Sequence, residues 1–292
     1  MNLSIFLVFL LGCMTALGAP GVSAAPIKKT VLLLFPYQHD LPMHALALQA
    51  LREEFAGAKD LALDLHYEFL DINRFPGADF QERLFDLYAA KYQDKRVDVV
   101  ILQTEVMLHL WLEHRDKIGL NAPVVFFDTL TDFTTRQLPP GVTGVSGTVD
   151  LTRSIEWILR ARSSVNEVAL VQGVGALDKE KENRLPVEAF RQEMSGKVRI
   201  TDLSPFPLSE IKRRVATLPK SSVVLFNIMF EDAAGVKYRP VDALREVASA
   251  SAVPVISPYD IVIGSGTIGG CMYSVESQAR EAARMGLRIL RG

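Results

Sequence analysis

The residues best suited to chemistry in this chain are a glycine loop, a serine loop, two histidine pairs and scattered carboxylates. Gly264-Ser265-Gly266-Thr267-Ile268-Gly269 spells the G-x-G-x-x-G of a phosphate-binding turn. That chemistry needs a preceding strand, a helix whose N–H groups open on the phosphate, and an acidic residue about 20 positions later. Here a helical pattern resumes only after Gly270-Cys271-Met272-Tyr273, and no acidic residue lies beyond Glu281. The glycines read as a bend with close backbone approach, so no nucleotide or other cofactor is expected. Gly144-Val145-Ser146-Gly147-Thr148 lacks the final glycine of a nucleophile elbow. His39 and His44, like His109 and His114, stand five apart, which a helix does not bring to one face. Solvent-facing or capping roles are expected for them, and no metal site. Glu105, Asp128 and Glu231 could serve acid–base work, but caps or ligand contacts suit them better, and the chain reads as a non-enzyme.

What remains is a recurring placement of polar and aromatic residues at the ends of apolar runs. Tyr37, Gln38 and His39 follow one run, Thr104 another and Asp128 a third. Asn227 and Glu231 end a fourth, and Tyr259 follows a fifth. In open parallel sheets, ligands bind outside the carboxyl ends of the strands, where an apolar wall with a few directed polar groups fixes a small solute. These eight residues are the expected ligand-binding set. Their aromatic content suits an aromatic amino acid or similar solute.

The elements that must hold them follow from periodicity. Val31–Phe35 reads as a buried strand, Asp40 as the cap of a helix carrying Leu48, Leu51 and Phe55, and Phe80, Leu84 and Leu87 as one face of another. Further strands are expected near 63–69, 97–102 and 123–127, with a helix at 106–114. A second series begins at Gly141, with an extended 142–149 and a helix capped by Asp150. Strands at 168–172, 198–203 and 223–228 alternate with helices near 179–195, 208–218 and 240–252. Continuous apolar strands between helices indicate parallel sheets covered on both faces. The expected fold is α/β with two Rossmann-like lobes and a ligand cleft between them. The strand at 254–257 completes the second series, leaving the helix at 275–290 without a sheet to cover. The expected organisation is therefore lobe 1 over 27–140, completed by 260–292, and lobe 2 over 141–259.

Of 292 residues, 32 are Lys or Arg and 34 Asp or Glu, and the formal charge of −2 argues against a nucleic-acid partner. The first 24 residues carry no charged side chain and end in Val22-Ser23-Ala24, the pattern of an export signal over 1–24. The protein is expected in the periplasm, or membrane-anchored if that segment is not cleaved. Cleavage would leave Cys271 as the one thiol, read as a small buried apolar residue.

The stretches VLLLFPYQHDLP, LDINRFPG, KRVDVVILQT, NAPVVFFDT, VVLFNIMFEDAAGVKYRP and VPVISPYDIVIGSGTIGG, with the helix ending RILRG, resemble the ABC-transporter substrate-binding-like family. The resemblance runs from residue 30 onward and implies a type 1 periplasmic binding protein fold with a Venus-flytrap cleft. FEDAAGV and PYD-x-x-x-G-x-G-x-x-G are closest to the branch that supplies extracytoplasmic sensor domains of histidine kinases. What the resemblance implies is a small-molecule-sensing domain partnered by a histidine kinase module, in two-component signalling. The alternative it leaves open is the solute-binding subunit of an ABC importer, partnered by a permease. Family members continue past the RILRG helix, so a membrane link could also lie in a missing C-terminal continuation.

Overall fold

Each apolar run becomes a strand in the computed structural model, which describes residues 27–72, 74–130, 138–175, 177–179 and 181–292. The expected export signal lies outside the described residues. The chain opens as β1 (Ile27–Phe35), α1 (Pro42–Gly57), β2 (Leu61–Phe69), α2 (Ala78–Tyr92), β3 (Val99–Gln103), α3 (Glu105–Ile118), β4 (Val124–Thr129) and β5 (Val142–Ser146). These five strands form one sheet in the order β2-β1-β3-β4-β5, every pair parallel. Then come α4 (Leu151–Ala161), β6 (Glu167–Val171), α5 (Lys181–Glu193), β7 (Arg199–Asp202), α6 (Leu208–Val215), β8 (Ser222–Phe226), α7 (Pro240–Ala250) and β9 (Val255–Ile256). Their strands make a second parallel sheet, β7-β6-β8-β9. After a short 3-10 turn at Asp260–Val262 the last described element is α8 (Val275–Arg291).

The strands form where β-branched and leucine runs can be covered on both faces. Val31 to Phe35, Val99 to Leu102 and Val223 to Phe226 are each at most 1% exposed, as a doubly covered sheet requires. α8 packs along α1 and against β3, β4 and β5. Its inner face carries Ala279, Ala282, Ala283 and Gly286, which let the helix axis approach the sheet closely. A methyl added at Gly286 would sit 3.3 Å from Ile101 Cδ1. One apolar cluster covers this face of the first sheet and continues through Tyr259, Tyr273 and α4 to Val168, Leu170 and Leu225 of the second.

Three local expectations need correction. Val142–Ser146 does not open the second series: it is the edge strand of the first sheet, whose strands therefore run to Ser146. Gly144 makes this pairing possible, because a Cβ there would lie 2.4 Å from the Phe126 carbonyl oxygen. The N-cap of α1 is Leu41, which makes no side-chain cap, and Asp40 stands exposed before it. The buried face of α2 is Phe85, Tyr88 and Tyr92, whereas Phe80 and Leu87 face outward. The two tyrosines supply more buried area than the leucine stripe, and Tyr92 places its hydroxyl 2.6 Å from Glu68 Oε1.

Candidate functional site

In a doubly wound sheet the crevice lies where the strand order reverses direction, at the carboxyl edge. In the first sheet that point is between β1 and β3, and in the second between β6 and β8. Sheet order therefore sorts the eight candidates. Tyr37, Gln38 and His39 leave β1, and Thr104 leaves β3, so these four stand at the first reversal. Asn227 leaves β8 at the second, with Glu231 four residues on. Asp128 is the penultimate residue of β4, and Tyr259 lies past β9, both one strand away from a reversal.

At the β1 exit, Pro36 ends the strand and the chain turns directly into α1. Tyr37 is half-buried and lies parallel to the His44 ring at 6.2 Å, while exposed His39 meets the edge of Phe69 at 5.7 Å. The Gln38 carbonyl oxygen lies 3.0 Å from His44 Nδ1. His44 itself is fully buried against Phe35 and Phe69, and this burial lowers its pKa to about 4. The expectation of solvent-facing histidines fails at His44 and also at His114, which stacks on Phe85 at 4.2 Å.

Thr104 caps α3, its Oγ1 lying 3.4 Å from Met107 N. Its backbone sits at φ 76°, ψ 157°, a region that belongs to glycine and strains a β-branched residue. Asp71 after β2 and Asp128 near the end of β4 also have positive φ, 57° and 60°. Among the described residues, the non-glycine residues with positive φ thus all lie at one sheet edge.

Asp128 is already engaged within the protein. Gln103 Nε2 donates to its Oδ2 at 2.8 Å, the Tyr273 hydroxyl donates to Oδ1 at 2.9 Å, and its backbone N–H reaches Gln278 Oε1 at 3.1 Å. Burial raises its pKa against the lowering effect of the Gln103 and Tyr273 hydrogen bonds. Tyr259 is buried edge-on to Tyr273, and burial beside Asp128 holds its hydroxyl protonated. Asp128 and Tyr259 therefore belong to a polar brace beside the segments that cross between the sheets.

Those crossings, 147–150 and 257–274, run side by side. Ser154 Oγ accepts from Cys271 N at 3.0 Å, and Gly147 N donates to Thr129 O at 2.9 Å. A Cβ at Gly147 would meet both Tyr273 and Gln278 at 3.0 Å, so only glycine lets the strands approach this closely. Cys271 is half-buried here rather than fully buried. The glycine loop bends over α7, where a Cβ at Gly266 would lie 2.7 Å from Ala248 Cβ, and the next helix starts at Val275.

On the second sheet, Asn227 is 1% exposed, and its backbone N donates to Val171 O at 2.9 Å. Glu231 is half-buried and gives its N–H to Asp178 Oδ2 at 3.1 Å. Asp178 also accepts from Phe230 N at 2.8 Å and Gly175 N at 3.1 Å, which organises the loops leaving both β6 and β8. Its carboxyl occupies the space a Cβ at Gly173 would need, 2.2 Å away. Asp232 fixes the next turn by accepting from Leu208 N, Ala234 N, Val236 N and the Tyr238 hydroxyl. Although burial raises its pKa, the Leu208, Val236 and Ala234 amides together bring it below the usual value.

The sequence reading missed His44, Gln103 and Asp178. His44 was expected to be solvent-facing or capping, Gln103 stands just past the strand expected at 97–102, and Asp178 stands just before the helix expected near 179–195. The signal for Asp178 was the Gly173-x-Gly175 spacing ahead of it, which leaves room for a buried carboxylate. Among the described residues, no group of three or more His, Cys, Asp or Glu could hold a metal, and no helix is long and apolar enough to cross a membrane.

No family model matches the chain, and no curated protein matches it in sequence. Solved structures do match in fold. A substrate binding protein with adhesive properties from Clostridium difficile, in a ligand-free, open structure, superposes with a TM-score of 0.61 at 12% identity, covering 90% of this chain and 85% of that one. The ABC domain in complex with L-Trp from Streptococcus pneumonia gives 0.57 at 12% identity over 92% and 86%. A LacI family transcriptional regulator from Lactobacillus casei with bound glucose gives 0.51 at 14% identity over 90% and 94%. The chain has the α/β fold of type 1 periplasmic binding proteins, with parallel sheets of five and four strands.

Proposed function

We propose that this protein is an extracytoplasmic small-molecule-binding protein whose ligand lies between the carboxyl edges of its two sheets. The observation that carries the reading is that both strand-order reversals present aromatic or polar residues, with the crossings packed beside them. On this reading the lobes are 27–146 with 260–292, and 147–259, joined at the paired crossings. Cleft closure would then shift an open–closed equilibrium by the ligand's preference for the closed state. The role is binding, not catalysis. Tyr37, Gln38, His39 and Thr104 would form one wall, with Asn227 and Glu231 on the other. Asp128 and Tyr259 would act from the brace between them.

Within this reading, the solute-binding subunit of an ABC importer has more support than a kinase sensor domain. The similar structures are named as a substrate binding protein and an ABC domain. The sensor role rests on the sequence resemblance of FEDAAGV and the PYD segment alone. The aromatic first wall and the L-Trp complex of one similar structure make aromatic amino acids the first probes. The test is thermal shift with L-tryptophan, L-tyrosine, D-glucose and myo-inositol. A bound probe at one hundred times its Kd adds about 2.7 kcal/mol. A flat response to every probe at millimolar concentration would count against the reading.

A further inference from the structure

Among the described residues, two buried acceptors at the first reversal point lack a protein partner. His44 is 0% exposed, and its Nδ1 lies 3.0 Å from the Gln38 carbonyl oxygen. A carbonyl only accepts, so Nδ1 carries the proton and Nε2 is left as a bare lone pair. His44 Nε2 has no hydrogen-bond partner. Gln103 is also 0% exposed, and its amide orientation is fixed in the same way. The Asp128 carboxylate, 2.8 Å away, requires the NH2 group, so Oε1 is turned away from it. Gln103 Oε1 too has no partner.

The two atoms belong to one place in the fold. The parallel register pairs Leu34 with Leu102, and its next step sets Phe35 beside Gln103. The Phe35 ring lies 5.3 Å from the His44 ring. A buried acceptor without a hydrogen bond gives up its hydration uncompensated, so two such residues beside Phe35 are not explained by the apolar core around them. The neighbouring helix end does not offer an anion site. Pro42 has no N–H, and the N–H groups of His44 and Ala45 both bond the Leu41 carbonyl.

We propose that His44 Nε2 and Gln103 Oε1 form an acceptor pair on the first wall of the cleft, reading hydroxyl or N–H donors on the ligand. This rests on the binding reading above and adds its specificity. The bound solute presents hydrogen-bond donors at an aromatic floor, and a carboxylate or phosphate presented there meets two lone pairs. Neither residue is among those the sequence assigned to the site.

The experiment uses matched probes on the full chain. L-tryptophan is compared with its indole-N-methyl counterpart, L-tyrosine with its O-methyl ether, and D-glucose with its permethylated form. Calorimetry and thermal shift are run on wild type, His44→Phe and Gln103→Met, and nitrogen NMR of the histidines follows Nε2 of His44. The expected result is a donor probe that binds at least about tenfold tighter than its methylated partner. Each substitution removes that discrimination, and the His44 Nε2 resonance moves only with the donor probe. A probe that binds wild type but ignores both substitutions and leaves the Nε2 resonance unmoved overturns the acceptor pair and spares the binding reading. Failure of every probe to bind wild type removes the binding reading and the acceptor pair together. Should His44→Phe not fold, Gln103→Met and the NMR shift decide the question.

Discussion

The carboxyl edges of the two sheets are built on opposite principles. At the first, non-glycine residues bear positive φ at Asp71, Thr104 and Asp128, and His44 Nε2 and Gln103 Oε1 find no partner among the described residues. Between β6 and β9, positive φ in the described residues falls on glycine alone, at Gly196 and Gly235. There Asp178 and Asp232 are surrounded by backbone N–H donors that organise the loops. The loops of the second edge are thus organised by two buried carboxylates, whereas the first edge carries positive φ on three non-glycine residues. Strain and unmet polarity persist where the surrounding fold over-determines them, and they gather at ligand sites. On the proposed reading, the first edge reads ligand chemistry and the second holds its own loops in place.

The largest effect should come from breaking the satisfied edge. Asp178→Ala leaves the Gly175, Phe230 and Glu231 amides without their acceptor, and we expect a loss of about 4 kcal/mol. Thermal unfolding should show Tm lower by roughly 10 °C. A drop of only a degree or two would mean these loops do not depend on the carboxylate. On the first edge, His44 gives a pH signature of nearly this size. Its pKa falls from 6.5 to about 4 on folding, mainly through burial. Both states are neutral above 6.5. As pH drops from there to 4 the unfolded chain takes up a proton that the folded protein refuses, so stability is lost on acidification. The loss is about 3 kcal/mol at one pKa unit per 1.4 kcal/mol. Denaturant midpoints measured from pH 7 to 4 should decline less in His44→Phe than in wild type, and parallel declines would exclude the assignment.

The difference between the edges was only partly legible in the sequence. Strand positions followed from apolar runs such as Val223–Phe226, because a doubly covered strand has no polar face to obscure it. Sheet neighbours were not legible. Val142–Ser146 joins β4 through a glycine that fits against Phe126, a contact defined by an absent side chain. Polar identity misled at His44, where three surrounding rings outweigh the imidazole's preference for water. At Asp128 it left the role open, since a carboxylate after a strand looks the same whether it faces a cleft or is held by Gln103 and Tyr273. Sorting the candidates required the strand order, and long-range pairing leaves no local trace.

A smaller effect tests whether the first edge is truly strained. Thr104 at φ 76° and ψ 157° occupies backbone space suited to glycine. Thr104→Gly should relieve about 1–3 kcal/mol of strain and lose only a few tenths from the weak cap. The expected net is a gain of about 1 kcal/mol, read as a higher denaturant midpoint with unchanged slope. If Thr104 also orders the first wall, affinity for a binding probe should fall as stability rises. A variant less stable than wild type would show that the cap matters more than the strain.

The smallest effect concerns Tyr259, whose hydroxyl is buried beside Asp128 without a hydrogen-bond partner among the described residues. Asp128 already receives Gln103 and Tyr273, so the Tyr259 hydroxyl is not needed to satisfy it in this conformation. Tyr259→Phe removes an unpaired polar atom and leaves the ring against Tyr273, so stability should change by less than about 0.5 kcal/mol or rise slightly. Its position past β9, where the chain returns toward α8, makes the hydroxyl a group whose surroundings change if the lobes rotate. If closure brings it a partner, from the ligand or from the opposing wall, the free energy of that hydrogen bond appears only in the bound state. Tyr259→Phe would then weaken probe binding about tenfold while leaving the midpoint without ligand unchanged, a split between affinity and stability that a purely structural tyrosine does not produce. Equal affinity in the two proteins would assign Tyr259 to the brace alone, and the contrast between the two edges would then stand without a contribution from the crossings.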